Sequence, residues 1–213
     1  MEGSDQVIFL VDDDIHVRES ISDFLASAGF RCVAVGSVSE YLEYRRPDLP
    51  SCIVLDVELP GVSGLEFHEQ IASGDHPPVV FITGHGDIPS TVRAMKRGAV
   101  DFLTKPFQES DLLIAIKAGI ERDRERRSKQ DELAVLRRRF AELTPREREV
   151  FPLVVSGLMN KQAAAELGIR EVTLQVHRGK VMQKMRAASL ADLVRIAAML
   201  DIPITHSRHA GAL

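Results

Sequence analysis

Cysteine is nearly absent, and so is any long apolar run. The chain of 213 residues carries 2 cysteines, Cys32 and Cys52, each beside an apolar strand-like stretch. Two such thiols read as reduced core residues of a cytosolic protein and exclude a disulfide framework. No His/Cys spacing suits zinc. No uninterrupted apolar run approaches the roughly 18–20 residues that cross a bilayer. The opening "MEGSDQ" is polar and acidic, unlike a signal peptide, so a cytoplasmic location is expected. No internal repeat is evident. What remains is a cored chain with 45% hydrophobic residues, long enough for one large or two small domains.

The formal net charge of -4 conceals an asymmetry. Residues 1–120 hold 9 Lys+Arg against 19 Asp+Glu, 9 − 19 = −10, whereas residues 121–213 hold 18 against 12, giving +6. An acidic half joined to a basic half points to two domains, the basic one a candidate for nucleic acid.

The acidic half alternates short apolar runs with helical patterns. Strands are expected at Val7–Val11, Arg31–Val35, Ile53–Val57, Val79–Thr83 and Asp101–Leu103. Between them lie a helix closed by Gly29, then helices over Ser37–Arg46, Gly64–Ser73 and Ile88–Arg97, and another beginning near Glu109. This alternation predicts a doubly wound, flavodoxin-like parallel sheet covered on both faces. In such sheets ligands bind beyond the carboxyl ends of the strands.

"FLVDDDIHV" ends the first strand on three adjacent carboxylates, which repel one another unless something positive binds there. With strand order 2-1-3-4-5, Asp12, Asp13 and Asp56 converge in one crevice and need a hard cation, most simply Mg²⁺. Thr83 ends strand four and Lys105 follows strand five. An aspartate can attack phosphorus to form an acyl phosphate, given a metal, a cation for the phosphoryl oxygens and a hydroxyl. Singly, these residues have plainer roles: Asp14 as a helix cap, the threonine in a turn, Lys-Pro in a loop. Together at matched strand ends they point to phosphoryl chemistry.

Through "VDDD", "LDVELPGVSGLEF", "ITGHGD" and "DFLTKPF", about 115 residues resemble the receiver domain of two-component response regulators. The resemblance implies Asp56 as phosphoacceptor, and Asp12, Asp13, Asp56 and the Glu58 backbone carbonyl as Mg²⁺ ligands. It further implies Thr83 and Lys105 as phosphoryl contacts and a cis Lys105–Pro106 bond. Phe102 would be the aromatic switch residue, with core packing as its alternative. Glu58 and His85 fall where the family tunes dephosphorylation.

"ERDRERRSKQDE", Glu121 to Glu132, has no apolar side chain and reads as a solvated helix supported by Asp123–Arg127 and Glu125–Lys129 pairs, a disordered tether being the alternative. Leu133, Leu136, Phe140 and Leu143 then form a stripe that suits either a short coiled coil or packing onto the next domain. Thr144, Pro145 and Glu147 form a capping box. The helices around Gly168 have helix-turn-helix spacing, which a plain helical hairpin also shows.

Leu143 to Ala197 resemble the LuxR/FixJ-type four-helix DNA-binding domain through "LTPREREV", "GLMNKQAAAELGI", "VTLQVHRGKVMQKM" and "SLADLVRIA". The whole is similar to the FixJ/NarL family. The expected layout is a receiver over 1–120, a charged helical linker over 121–142, the helix-turn-helix domain over 143–202 and a tail over 203–213. The resemblance implies a sensor histidine kinase, promoter DNA and RNA polymerase as partners, dimerisation on phosphorylation, and no catalysis beyond self-phosphorylation and self-dephosphorylation. Candidate DNA-binding residues are Lys161, Thr173, Gln175, Val176, His177, Arg178, Lys180 and Lys184. Two departures matter: Arg170 stands where Ser or Thr often caps the recognition helix, and Gln175 and Gly179 stand where the family often carries Lys, Asn or another polar reader, Gln175 still able to bond adenine and Gly179 reading no base edge. Two rival readings are a phosphorylation-gated interaction module that reads no DNA, and a phosphohydrolase using Asp12-x-Asp14. The latter lacks a late acidic pair and has His16 where Thr or Val is usual.

Overall fold

The computed structural model describes residues 5–71 and 74–203. The chain divides into two compact units, Met1–Arg127 and Ser128–Leu213.

The first unit is built on five parallel strands in the order β2-β1-β3-β4-β5: β1 Val7–Val11, β2 Arg31–Val35, β3 Ser51–Asp56, β4 Val79–Thr83 and β5 Asp101–Thr104. The three inner strands are buried along their whole length. That is why they read as unbroken apolar runs, as strands covered on both faces must. Side chains alternate between faces with period two. Val7, Phe9, Val11, Ile53, Leu55 and Phe81 meet α2 (Val38–Glu43), α3 (Gly64–Ile71) and α4 (Ile88–Lys96) through Tyr41, Phe67 and Ala94. Ile8, Leu10, Cys52, Val54, Val80 and Ile82 meet α1 (Ile15–Ser27) and α5 (Glu109–Ala141) through Leu25, Leu112 and Ile116. Each fully buried aliphatic or aromatic side chain contributes about 1.5–3 kcal/mol.

Several boundaries differ from expectation: α2 begins at Val38, α4 ends at Lys96 and β3 ends on Asp56 itself, each one residue off. β3 begins at Ser51 because Val7 pairs with it, and β5 continues to Thr104 because that residue pairs with Thr83. α2 stops at Glu43: Tyr44 turns extended, ψ 123, and sets its ring 5.8 Å from Phe9. The last residue expected for α3, Ser73, lies outside the described residues.

The charged stretch of α5 is helical but not uniformly solvated. Asp123 is fully buried. It accepts hydrogen bonds from the Ser51 amide at 2.9 Å, from Arg126 Nη2 at 2.7 Å and from Arg127 Nε at 2.9 Å. The two arginines also pair with Asp75 and Asp48. An ion network therefore pins the helix to the start of β3. One helical turn earlier on the same face, Gly119 lets α5 close on the sheet, since a Cβ there would fall 2.5 Å from Cys52 Sγ.

The second unit packs four helices: α6 Pro145–Val155, α7 Asn160–Glu166, α8 Glu171–Met185 and α9 Leu190–Met199. Val150, Phe151, Ala164, Leu174, Val181, Met185 and Leu193 form its core. The Thr144/Glu147 capping box is present, and Gly168 takes φ +63 in the turn between α7 and α8. Phe140 and Leu143 join this core, with Phe140 5.9 Å from Phe151. Those two stripe residues thus pack within their own unit.

Candidate functional site

Asp12, Asp13 and Asp56 sit together at the carboxyl edge of the sheet, because β1 and β3 are neighbours and both end there. One carboxylate oxygen from each lies within 4.8 Å of the others. Asp12 and Asp56 are buried and Asp13 is exposed. Lys105 Nζ donates to Asp12 Oδ2 at 2.6 Å and Asp56 Oδ2 at 2.7 Å. Burial raises the Asp12 carboxyl above its ordinary range, against the opposing bond from Lys105. Burial alone would lower the Lys105 ammonium; its bonds to the two carboxylates outweigh that and raise it. The three adjacent aspartates divide their work. Asp14 caps α1, accepting from the His16 and Val17 amides, and stands outside the cluster.

The Glu58 amide donates to Asp56 Oδ1 at 2.9 Å, and the Glu58 carboxylate lies 3.0 Å from His85 Nδ1 across the mouth. Thr83 is buried, its hydroxyl accepting from the His85 amide at 3.2 Å. Phe102 is half-buried against Phe81, ring centroids 5.9 Å apart, and Lys105–Pro106 is cis. Two glycines and an arginine escape sequence reasoning. A Cβ on Gly64 would fall 2.1 Å from the Asp56 carbonyl oxygen, and one on Gly86 would fall 2.4 Å from Thr104 Cγ2. Arg18 donates to the Asp12 carbonyl at 2.6 Å. Their only sequence signal is a glycine close to a strand end and a cation one helical turn past the acids.

This arrangement can hold a small hard cation on oxygen donors and expose a carboxylate oxygen as a nucleophile. The donor set fits Mg²⁺: three carboxylates, two of them sharing one ammonium whose place a cation could take.

In the second unit, α8 buries Leu174, Val181 and Met185 and exposes Val172, Thr173, Gln175, Val176 and Lys180. Lys161 on α7 is exposed as well. Three further candidate DNA contacts lie closer to the protein's own groups. Lys184 Nζ bonds Glu147 Oε2 at 2.7 Å and the Glu142 carbonyl at 3.1 Å, so it serves the fold. Arg178 bonds Asn160 Oδ1 at 2.9 Å, tying α8 to the start of α7. His177 is half-buried, and its Nδ1 has no protein partner. Arg170 precedes α8 without a side-chain cap.

A parallel sheet with an acid cluster at its carboxyl edge, followed by a helical unit with an exposed helix, defines a two-domain regulator. Residues 8–117 match the family described as response regulator receiver domain, and residues 141–197 match bacterial regulatory proteins, luxR family. The chain belongs to the two-component response regulators that carry a LuxR-type DNA-binding domain. It is 53% identical over 202 residues to nodulation protein W of Bradyrhizobium diazoefficiens, covering 94% of this chain and 89% of that one. It is 42% identical over 196 residues to the transcriptional regulatory protein FixJ of Azorhizobium caulinodans, covering 92% and 93%. Among solved structures, response regulator StyR matches with TM-score 0.77 at 48% identity, covering 92% of this chain and 99% of that one. No helix among the described residues is long and apolar enough to cross a membrane.

Proposed function

We propose that a sensor histidine kinase phosphorylates Asp56, and that the phosphorylated protein dimerises, binds promoter DNA and engages RNA polymerase in the cytoplasm. The observation that carries this reading is the convergence of Asp12, Asp13 and Asp56 within 4.8 Å, bridged by Lys105. An Asp56 carboxylate oxygen attacks phosphorus, the phosphorus–nitrogen bond of the kinase phosphohistidine breaks, and its electron pair stays on the imidazole. Mg²⁺, when bound by Asp12, Asp13, Asp56 and the Glu58 carbonyl, neutralises charge on the phosphoryl oxygens. Lys105 would move from the carboxylates to a phosphoryl oxygen, and the Thr83 hydroxyl would leave the His85 backbone to do likewise. Phe102, beside Phe81, would follow Thr83, biasing a two-state domain. We assign the receiver to 1–120, the linker to 121–142 and the DNA-binding domain to 143–202. The DNA-facing set narrows to Lys161, Thr173, Gln175, Val176 and Lys180, with His177 and Arg178 at the edge. No turnover of an external substrate is proposed.

Acetyl phosphate with Mg²⁺ should add one phosphoryl mass to the intact protein and none to Asp56→Asn. Asp13→Asn should lose labelling, while Asp14→Asn should keep it. Undiminished labelling of Asp56→Asn would overturn the assignment.

A further inference from the structure

We infer that Arg18 is a positioning residue for the acid cluster: by holding the Asp12 carbonyl, it fixes how Asp13 presents its carboxylate to a divalent cation. This rests on the cation reading above. Asp12 is fully buried, and its carbonyl oxygen accepts from Arg18 Nη1 at 2.6 Å. Its amide donates to the Val35 carbonyl at 3.2 Å, and its Oδ1 accepts from the Asp14 amide at 2.9 Å. Asp14 in turn accepts at Oδ1 from the His16 amide at 2.8 Å, and at its carbonyl from the Arg18 amide at 3.0 Å. The bonds therefore close a ring, Asp12 to Asp14 to Arg18 and back to Asp12, with Asp13 at its apex. Every link but one is a local turn or helix bond. The Arg18 guanidinium alone spans the ring. Gly36 lies beside it: a Cβ there would be in ordinary contact, 3.4 Å from Arg18 Nη1 and 3.6 Å from Cζ.

Mg²⁺ accepts little spread in its oxygen ligands, so a backbone that wavers at Asp13 costs affinity. Partners that orient metal ligands typically contribute 10–100-fold in metal affinity. The sign separates this role from a plain field effect. A guanidinium beside the cluster repels a dication, so if charge were all that mattered, removing it would tighten binding. If Arg18 positions the ligand, removing it loosens binding.

The test uses the full chain and Mn²⁺, with free ion counted by electron paramagnetic resonance. Arg18→Met should weaken Mn²⁺ binding about 10-fold, and Arg18→Lys, which keeps a donor but not the fork, by less. Binding by folded Arg18→Met that is unchanged or tighter overturns the inference. Should Arg18→Met fail to fold, Arg18→Lys decides: weaker binding upholds the inference, equal or tighter binding overturns it. Asp13→Asn in parallel isolates the underlying reading. Wild-type binding that survives Asp13→Asn means that the ion sits elsewhere, and both the cation site and the role of Arg18 fall.

Discussion

At the scale of single residues, the chemistry rests on charges that are each held by a different device. Lys105 is bonded to Asp12 and Asp56 at 2.6 and 2.7 Å, so an arriving dication competes with it. Lys105→Met should therefore tighten Mg²⁺ binding, by several-fold in calorimetry, while abolishing the DNA-binding response to acetyl phosphate. Weaker Mg²⁺ binding in that variant would mean that Lys105 organises the cluster instead of occupying it. Cys52 offers a separate check on the core. Burial pushes its thiol well above the ordinary range and Cys32 upward too, so both should resist iodoacetamide at neutral pH until the protein unfolds. The acids, Thr83 and Lys105 were legible because strand ends announce themselves in sequence. Arg18 was not, since its partner is a main-chain carbonyl, which no residue type marks.

Individual elements carry the next set of forces. α5 is anchored by Asp123, which accepts from the Ser51 amide at the start of β3 and from Arg126 and Arg127, and the two arginines reach Asp75 and Asp48 in distant loops. A charge run looks solvated when those loops cannot be seen, which is why this burial was missed. Asp123→Ala leaves the Ser51 amide without its acceptor and takes from two half-buried guanidinium groups the carboxylate they share, leaving them Asp75 and Asp48. It should cost about 3–5 kcal/mol in urea unfolding of the first unit. On α8, the exposed row and the inward row make opposite predictions. Lys180→Ala should weaken binding to all DNA sequences alike and flatten the salt slope by about one unit. Gln175→Ala should cost about 1–3 kcal/mol on the cognate site and relax one position. Lys184→Met should instead lower stability by about 1.5–3 kcal/mol with DNA affinity nearly unchanged, because its ammonium bonds the buried Glu147. Burial alone would raise the Glu147 carboxyl, but bonds from Lys184 and the Thr144 amide outweigh it and lower it. A lowered folded value means that Glu147 stabilises the fold above the unfolded carboxylate range, and that this is lost as pH falls through its folded value. Melting by circular dichroism from pH 7 to 3 should show a smaller acid loss in Lys184→Met than in wild type.

For the whole molecule, the chain divides into two compact units at Arg127 and Ser128, and the receiver proposed over 1–120 falls within the first. Composition could locate the change in charge but not Asp123, so a receiver cut at residue 120 should melt lower than one cut at Arg127. Likewise a DNA-binding fragment begun at Leu143 loses Phe140 and the Glu142 carbonyl that Lys184 bonds. One begun at Ser128 should be the more stable and should bind DNA without phosphate. A folded Ser128 fragment that binds neither promoter nor bulk DNA at low salt would favour the interaction-module reading. The strand order, by contrast, was legible: five apolar runs separated by helical patterns allow few arrangements. Gly64 shows how that economy bears on mutational surveys. Its missing Cβ keeps α3 against the Asp56 carbonyl, so nearly every substitution there should abolish signalling. A map of tolerance would rank Gly64 beside Asp56, though it could touch neither cation nor phosphoryl group nor DNA. Intolerance at this position would report a shortage of space one bond away from the chemistry.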